Sequence, residues 1–548
     1  MPSGRRPFSA LILAGLTVLA LVPFAGKAFH IDDPLFLWAA QHIRVAPQDP
    51  YGFIVNWYGV SNRMSDVTKN PPLTSYYIAA ISSMFGSGEW ALHLAFLIPA
   101  IAVVLGTYLL ACRWCAQPFL ATLFTLITPV FLVSSSTIMC DTMMLALWVF
   151  AIHFWLTGLE RRSGVRLALS GLLVALCALT KYFGMTLIPL LLLYSILKQR
   201  RVRWHTAYLL IPAIILGGYQ WVTYHLYGRG LLLDAASYAS EMSSPWGKRS
   251  LGKLLIGMAF TGGCLGLVWV FALRPWQLRR LLAGAAVAGT IMTVVAGAGG
   301  IEGHAVVGEG GNLWWTAALL GVFAAGGLSV IALAITGSAK WRDPETQLLG
   351  LWVLGTFVFA SMVNWTTNGR SILPMVPAAG ILILRHMEQA GRGAKRPGAW
   401  QTAAGVACAA ALALGVAWAD TAYANSARQA ARVIDGKYRD MTKRLMFEGH
   451  WGFQYYMEAL GAHAIDAKKY ELTPGDIIVI PEKNTSVIPL PRSWVTLLER
   501  LEVPSSRWIA TMRVDLGAGF YADTFGPLPY AIGAVPTECY LIFRVTHP

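Results

Sequence analysis

Six charged residues stand at or near the ends of predicted helices, and their types suit a group-transfer reaction. The acids and cations are Asp32, Asp33, Asp141, Lys69, Lys181 and Arg370, in the peptides HIDDP, CDTMM, VTKNPPL, ALTKYFG and TNGRSILP. A carboxylate in a partly desolvated cavity can take a proton from a hydroxyl group or hold a metal ion. Three cations gathered with three acids would suit an anionic phosphate beside a reacting hydroxyl group. These residues form the candidate site.

Each of these residues also has a purely structural interpretation. Asp is a good helix N-cap and Pro34 suits a first helical turn, so capping is an equal alternative for Asp32 and Asp33. Asp141 could cap a helix in the same way. Isolated Lys and Arg side chains near a membrane interface commonly extend their charge to water. The residue types alone leave both interpretations open.

The elements that must position these residues are membrane-spanning helices. Of the 548 residues, 56% are hydrophobic and 13% are charged, against roughly 25% charged in an ordinary soluble domain. The apolar residues fall in blocks of roughly 18 to 24, the length that crosses a hydrocarbon core as a helix. We predict about 13 spans: Phe8 to Gly26, Trp90 to Ala111, Pro118 to Val133, Thr142 to Leu159, Leu167 to Thr180, Phe183 to Leu197, Ala207 to Val222, Leu254 to Leu273, Leu281 to Ala298, Leu313 to Ile335, Leu348 to Val363, Ile372 to Leu384 and Thr402 to Ala419.

Basic clusters between the spans predict the topology. Placing Arg5 and Arg6 in the cytoplasm puts the other short basic loops on the same side, as the positive-inside rule requires. The net charge of +15 is therefore a topology signal and does not indicate a nucleic-acid partner, because the basic residues form no single soluble face. We expect a multi-pass protein of a bacterial inner membrane with a cytoplasmic N-terminus. The length of the first apolar block favours an uncleaved anchor over a secretory signal.

Two segments on the outer side are long enough to fold. The first outer loop, residues 30–89, is predicted to contain a helix from Pro34 to Ile43 and an interfacial amphipathic run from Leu73 to Phe85. Beyond Asp420 the composition becomes soluble, with a helical stretch and three strand-like runs: Phe453 to Leu460, Ile477 to Pro481, Trp508 to Val514 and Tyr540 to Val545. We therefore expect a transmembrane domain over 1–420 and a small extracytoplasmic α/β or α+β domain over 421–548.

Several of these peptides, taken in order, resemble a known family. HIDDPLFLWAAQHI resembles the family's first outer-loop acidic motif, and KNPPLTSYYIAAISSMF resembles its Lys-Pro-Pro segment and interfacial helix. CDTMMLALWVFAIHFWLTGLERR and LSGLLVALCALTKYFG are similar to its next two blocks, and NGRSILPMVPAAGILIL is similar to its late basic segment. Over most of residues 1 to 390 the chain resembles the polytopic GT-C glycosyltransferases typified by protein O-mannosyltransferases and the aminoarabinose lipid A transferase.

The resemblance implies an all-helical GT-C membrane fold and an inverting transfer of a sugar from polyprenyl phosphate to an acceptor hydroxyl. It implies that Asp32 is the base and that Lys69 and Arg370 lie near the donor phosphate. Asp141 and Lys181 match cavity positions of the family, as a catalytic and a phosphate-binding candidate respectively. Asp33, the remaining catalytic candidate, stands where the family usually has Glu.

The requirement for a metal stays open in the sequence. Thr68 stands where the aminoarabinose enzyme has a metal-binding Glu, which puts a zinc site of that kind, including any part for His225, in doubt. No cofactor is therefore assigned, and a divalent metal ion is left as an alternative.

A separate argument favours a lipid-linked donor. The candidate acids face the outer side, where nucleotide sugars are not supplied, and the predicted cytoplasmic loops are shorter than a nucleotide-binding domain of about a hundred residues. The sequence also contains no P-loop and no GxGxxG after a predicted strand. The expected partners are a polyprenyl-phosphate-linked sugar, an acceptor lipid, glycan or protein, and membrane lipids.

The main alternative is a polytopic transporter or lipid flippase. Secondary transporters usually carry ionisable groups near the middle of the membrane and show internal repeats. The predicted span interiors contain no Asp, Glu, Lys or Arg, and the sequence shows no repeat. This pattern favours interfacial chemistry over transport. A structural assembly protein is a third class, which an activity measurement would separate from the other two.

Overall fold

The fold is a bundle of apolar helices joined to a smaller mixed sheet. The computed structural model describes residues 5–242, 250–273, 279, 281, 283–284, 287, 312–338, 343–390, 398–469, 471–488, 490–491 and 493–546. The helices are α1 (Arg5–Leu21), α2 (Asp33–Val45), α3 (Met64–Val67), α4 (Leu73–Phe85), α5 (Glu89–Trp114), α6 (Pro118–Leu126), α7 (Pro129–Ser135), α8 (Cys140–Glu160), α9 (Gly164–Thr180), α10 (Leu187–Gln199), α11 (Leu210–Tyr227), α12 (Leu231–Met242), α13 (Ser250–Leu265), α14 (Leu313–Ser338), α15 (Pro344–Val358), α16 (Gly369–Ile372), α17 (Val376–Ala390), α18 (Ala399–Tyr438) and α19 (Trp451–Ala459).

Nine helical segments among the described residues are long and apolar enough to cross a membrane. They are Pro7–Phe24, Glu89–Trp114, Cys140–Glu160, Tyr182–Gln199, Trp204–Tyr227, Gly252–Ala272, Leu313–Gly337, Pro344–Val363 and Ala399–Met441. Each overlaps a predicted span, although the last helix extends well beyond the predicted end at Ala419. A further apolar helix, Gly164–Thr180, matches the predicted span Leu167 to Thr180. The prediction of a multi-pass helical membrane protein is confirmed.

Two predicted spans are not single continuous helices, and a third lies almost entirely outside the described residues. The span predicted from Pro118 to Val133 is the pair α6 and α7, bent by 63°. Pro129 has no backbone N–H to continue a helix, and the Thr128 side chain caps α7 instead. The span predicted from Ile372 to Leu384 consists of the last residue of α16, a short turn and the start of α17, and it is not among the described segments long and apolar enough to cross a membrane. The span predicted from Leu281 to Ala298 lies almost entirely outside the described residues, so the total of about 13 stays a prediction.

The first outer loop folds much as predicted. Its two expected helices are present as α2 and α4, which pack against each other. A short hairpin of β1 (Ile54–Asn56) and β2 (Ser61–Arg63) lies between them. The hairpin was not predicted, because each of its strands has only three residues and one is mostly exposed.

The described residues of the C-terminal part contain nine strands: β3 (Leu445–Phe447), β4 (His463–Ala464), β5 (Ile477–Pro481), β6 (Val495–Val503), β7 (Ile509–Ala510), β8 (Met512–Arg513), β9 (Ala518–Gly519), β10 (Ala531–Ile532) and β11 (Glu538–Val545). Five of the described strands form a mixed sheet in the order β4-β3-β5-β11-β6. Strands β3, β4 and β5 are parallel, and β11 is antiparallel to both β5 and β6. Helix α19 confirms the predicted helical stretch, so this part combines helix and sheet as expected.

The long helix α18 joins the bundle to this sheet. It runs without a break through Asp420, the predicted start of the soluble domain, and ends at Tyr438. The division into 1–420 and 421–548 stays a prediction. One large cluster of buried apolar side chains includes residues of the helix bundle together with Phe447 of β3 and Tyr540 of β11. The sheet is therefore packed onto the bundle through a continuous core.

Candidate functional site

A cavity of about 780 Å³ lies where the first outer loop, several helix ends and the C-terminal part meet. Four of the six predicted site residues line it: Asp32, Lys69, Lys181 and Arg370. The other two, Asp33 and Asp141, are buried beside it and are absent from its lining. Folding therefore brings together charged residues from four distant parts of the sequence.

Asp32 lies at the N-terminal end of α2, yet its side chain makes no capping hydrogen bond. Its Oδ2 atom instead lies 2.8 Å from a guanidinium nitrogen of Arg370. Ile31, immediately before it, has a φ of +50°, which is unfavourable for a β-branched residue. Strained backbone persists where the surrounding structure holds it, and such positions cluster at functional sites. The side-chain capping alternative is therefore not realised for Asp32, whose carboxylate faces the cavity.

Asp33 has a different environment. Its two carboxylate oxygens accept hydrogen bonds from the backbone N–H groups of His30, at 2.8 Å, and Ile138, at 3.1 Å. Burial raises the pKa of Asp33 to about 7, against the lowering effect of those hydrogen bonds. The carboxyl group thus fastens the outer loop to the turn before α8. This geometry suits a positioning role, and the catalytic assignment of Asp33 stays a prediction.

Asp141 does not line the cavity but is hydrogen-bonded to Lys181, which does. Asp141 lies in the first turn of α8 without capping it, and its side chain is 1% exposed. Its Oδ1 atom accepts a hydrogen bond of 2.5 Å from Lys181, the residue that follows α9. The buried carboxylate therefore holds the Lys181 ammonium group at the cavity wall.

Lys69 follows the short helix α3 and is held by helix α12. Its ammonium group contacts Asp234 of α12 at 2.7 Å and lies 5.1 Å from the ring centre of Tyr238. Asp234 also pairs with Arg229 at 3.2 Å. The sequence analysis missed Asp234, because a single acid in an amphipathic helix carries no distinctive signal.

Arg370 lies in the short helix α16 and is largely buried. Besides Asp32, it contacts the Sδ atom of Met139 at 2.8 Å, and its guanidinium carbon lies 5.6 Å from the ring centre of Tyr521. The N-cap of α16 is Asn368, whose side chain accepts from the backbone N–H of Ser371. This cap stabilises the short helical turn that carries Arg370.

One side of the cavity was not predicted from the sequence. The C-terminal wall of the cavity consists of Trp451, Thr485, Ser486, Met512, Tyr521, Ala522, Thr524 and Phe525. None of these side chains is charged. Because they come from short strands, helix ends and turns far along the chain from the acidic motif, no local pattern marks them. Two other missed lining residues, Asn70 and Tyr182, do have a signal, since each adjoins a predicted lysine.

The described residues contain no group of three or more His, Cys, Asp and Glu side chains arranged to hold a metal ion. Thr68 lines the cavity and offers only a hydroxyl group. His225 is exposed, and its Nδ1 atom contacts the Trp221 carbonyl oxygen at 2.9 Å. The geometry thus assigns no metal-binding role to either residue, and the alternative of a divalent metal stays untested.

Known proteins share this architecture. Residues 69–219 match the family model described as dolichyl-phosphate-mannose-protein mannosyltransferase. The crystal structure of ArnT from Cupriavidus metallidurans bound to undecaprenyl phosphate is similar at 14% sequence identity and a TM-score of 0.51, covering 88% of this chain and 94% of that one. The apo oligosaccharyltransferase of Archaeoglobus fulgidus is similar at 15% identity and a TM-score of 0.50, covering 86% and 67% respectively.

No curated protein matches the sequence. At these identities the structural likenesses establish the fold, and the family model covers the part of the chain that carries Lys69, Asp141 and Lys181. The resemblance inferred from the sequence is confirmed. The chain is a multi-pass membrane protein with the fold of the GT-C glycosyltransferases.

Proposed function

We propose that the protein transfers a sugar from a polyprenyl-phosphate donor to an acceptor hydroxyl group on the outer face of the bacterial inner membrane. The observation that carries this proposal is the cavity in which Asp32 and Arg370 form a pair beside Lys69 and Lys181. One carboxylate and three cations in a shared cavity provide a base for a hydroxyl group and counter-charges for a phosphate.

In the proposed reaction, the acceptor oxygen attacks sugar C1 on the face opposite the phosphate. Asp32 takes the proton of that hydroxyl group as the new C–O bond forms. The bond from C1 to the phosphate oxygen breaks, and its electron pair leaves with the polyprenyl phosphate. Lys69, Lys181 and Arg370 stabilise the charge that develops on the leaving phosphate. The sugar is transferred with inversion at C1.

The lining of the cavity supports a lipid-linked donor. Next to the charged groups the wall is apolar, with Phe183, Met185, Phe359, Met362 and Val363. These residues belong to helical segments that are candidate membrane spans. An isoprenoid chain could lie against such a surface while its phosphate meets the cations. The similar ArnT structure holds undecaprenyl phosphate, which supports the same class of donor here.

The two acids outside the lining receive supporting roles in this proposal. Asp33 positions the loop that presents Asp32, through its hydrogen bonds to His30 and Ile138. Asp141 positions Lys181. Only Asp32 among the three predicted catalytic acids then exchanges a proton with the acceptor.

A transfer assay with purified protein tests the function. The protein in detergent is given monosaccharides linked to polyprenyl phosphate together with lipid, glycan and peptide acceptors, and products are identified by mass. We expect a sugar-bearing product with at least one lipid-linked donor and none with nucleotide sugars. Movement of the donor across liposome membranes without transfer would contradict the enzyme and support a flippase.

The natural acceptor can be found in cells. The glycolipids and glycoproteins of a strain lacking the gene are compared by mass with those of its parent. We expect one class of molecule to lose the mass of a single sugar residue. The size of the loss would identify the sugar class, and the molecule that bears it would identify the acceptor.

A further inference from the structure

The turn that carries Arg370 is held by the C-terminal part of the chain. The backbone N–H of Gly369 donates to the carbonyl of Phe520 at 2.7 Å, and the N–H of Asp523 donates to the carbonyl of Thr367 at 2.9 Å. The Thr366 hydroxyl group also donates to the Asp523 carboxylate. These contacts join residues 366–369 to residues 520–523 on both sides of Tyr521. The position of Arg370 therefore depends on a segment remote from it in sequence.

Tyr521 lies between Arg370 and a buried ion pair. Its ring centre is 5.6 Å from the guanidinium carbon of Arg370, within the range of a cation–π contact. Its hydroxyl group donates to Asp420 Oδ2 at 2.9 Å. The ring also meets His30 edge-on, with 5.3 Å between ring centres. Tyr521 is thus fixed at both ends, with its ring against the arginine.

The ion pair that holds the Tyr521 hydroxyl group is fully buried. Asp420 of α18 pairs with Lys27 at 2.5 Å, and neither side chain is exposed. The Thr511 hydroxyl group donates to the other Asp420 oxygen at 2.8 Å. A buried, hydrogen-bonded ion pair has little freedom to move, because separating its charges in a low-dielectric interior is unfavourable. The end of the first span, helix α18 and the C-terminal part therefore meet at one rigid point.

We propose that Tyr521 is a positioning residue that holds Arg370 against Asp32, so that the C-terminal part completes the active site. The inference rests on the proposed function, since it concerns the site for the donor phosphate. Tyr521 acts through Arg370, by limiting the directions that the guanidinium group can take. An arginine already aligned binds an anion with less loss of conformational freedom.

A double-mutant cycle with undecaprenyl phosphate as the probe tests this role. Its binding to the purified full chain is measured for wild type, Tyr521→Leu, Arg370→Ala and the double variant. We expect Tyr521→Leu to weaken binding by about tenfold, in line with a partly desolvated cation–π contact. In the Arg370→Ala background the same change should have almost no further effect, because residues that act through one contact are not additive.

Three further variants separate positioning from general damage. Tyr521→Phe keeps the ring and should bind within about threefold of wild type, because it loses only the hydrogen bond to Asp420. Gly369→Ala should weaken binding without changing any charged group, since its added Cβ would lie 2.7 Å from the Phe520 ring. Tyr530→Leu is the matched control, because Tyr530 is equally buried in the C-terminal part but contacts Phe323, away from the cavity.

The outcomes distinguish a failure of the proposed function from a failure of the positioning role of Tyr521 alone. If wild type does not bind undecaprenyl phosphate, the proposed function fails. If Arg370→Ala weakens binding while Tyr521→Leu and Gly369→Ala do not, only the positioning role fails. The positioning role is also overturned if Tyr521→Leu weakens binding of undecaprenyl phosphate as much in the Arg370→Ala background as in wild type. It is likewise overturned if Tyr530→Leu weakens binding as much as Tyr521→Leu does. If Tyr521→Leu does not fold, Gly369→Ala decides by the same comparison with Arg370→Ala.

Discussion

The guanidinium group of Arg370 lies 2.8 Å from the carboxylate of Asp32, within a cavity that Lys69 and Lys181 also line. The pair joins the loop after the first span to the helix end before α17. It places an acid that can accept a proton beside a cation that can hold a phosphate.

Replacing Asp32 with Asn should abolish most transfer without unfolding the protein. A positioned base contributes about a hundred- to ten-thousand-fold to the rate, and Asn cannot accept the proton. Because the Asp32 side chain makes no capping hydrogen bond, the helix should tolerate the change. Transfer is measured by mass and donor binding in parallel; normal turnover by the variant would remove Asp32 from the mechanism.

Asp33→Asn is the matched comparison and should behave differently. Both of its oxygens accept backbone N–H groups, and an amide can accept with only one. We therefore expect a lower unfolding temperature and a smaller loss of turnover than for Asp32→Asn. A stable Asp33→Asn protein with little transfer would instead support the catalytic assignment made from the sequence.

Lys69→Ala and Arg370→Ala should weaken use of the donor more than use of the acceptor. A lost charge-assisted contact to phosphate is worth about 1.5 to 3 kcal/mol, or roughly one to two powers of ten in donor efficiency. The Michaelis constants for donor and acceptor are measured separately. Lys198→Ala, which removes a cation paired with Glu345 outside the cavity, should leave both unchanged. A change in the acceptor constant alone would contradict the phosphate assignment.

The C-terminal part should lie outside the cytoplasm. The basic clusters predict an odd number of spans between Arg5 and this part, and the cavity combines the first outer loop with the C-terminal wall. A reporter that fluoresces only when folded in the cytoplasm is fused after Pro548 and should stay dark. The same reporter fused after Arg161 should fluoresce. Fluorescence from the C-terminal fusion would overturn the topology.

Stability should depend on pH through Glu448. Burial raises the pKa of Glu448 to about 7, although its Oε2 atom accepts from the backbone N–H of Ile488. The raised pKa means that the folded state binds the proton more tightly than the unfolded chain does. The stabilising contribution of protonated Glu448 is therefore complete when the pH is below the ordinary pKa of Glu. It is lost as the pH rises to about 7.

Thermal unfolding of wild type and Glu448→Gln from pH 4 to pH 8 measures this effect. The stability of Glu448→Gln relative to wild type should increase as the pH rises and become constant above about pH 7. Glu499→Gln is the control, because hydrogen bonds from Lys437 and Tyr438 lower the pKa of Glu499. That carboxyl group stays ionised in both the folded and unfolded states above about pH 5, so the stability of Glu499→Gln relative to wild type should stay nearly constant from there to pH 8. A difference for Glu448→Gln that does not vary with pH would show that this carboxyl group titrates normally in the fold.

Much of the membrane architecture could be predicted because its signal is local. A span must be apolar over its whole length, and each backbone group must be satisfied within the helix, so hydropathy alone locates it. The candidate charges were predictable for a related reason. The predicted span interiors contain no Asp, Glu, Lys or Arg, so charged residues at the span ends, such as Asp32 and Lys181, are easily recognised in the sequence.

The features that the sequence did not predict also have physical causes. The bend between α6 and α7 depends on Pro129 and its capping residue, which a window of apolar residues does not register. Strand β6 was not predicted because it is largely exposed and its charged residues make its sequence similar to that of a loop. All three acids were catalytic candidates in the sequence, with Asp32 as the base, but the sequence did not show that burial and hydrogen bonding give each of them a different environment.

The sequence by itself determined the class of protein, the positions of most helices and the charged residues that gather at one cavity. Tertiary structure alone decided which charges pair, which acid faces the cavity and which residues of the C-terminal part line it. The reason is that hydropathy and charge are properties of short segments, whereas pairing depends on packing between segments far apart in the chain. Arg370, Tyr521 and Asp420 illustrate this, because their contacts exist only once three separate elements have met.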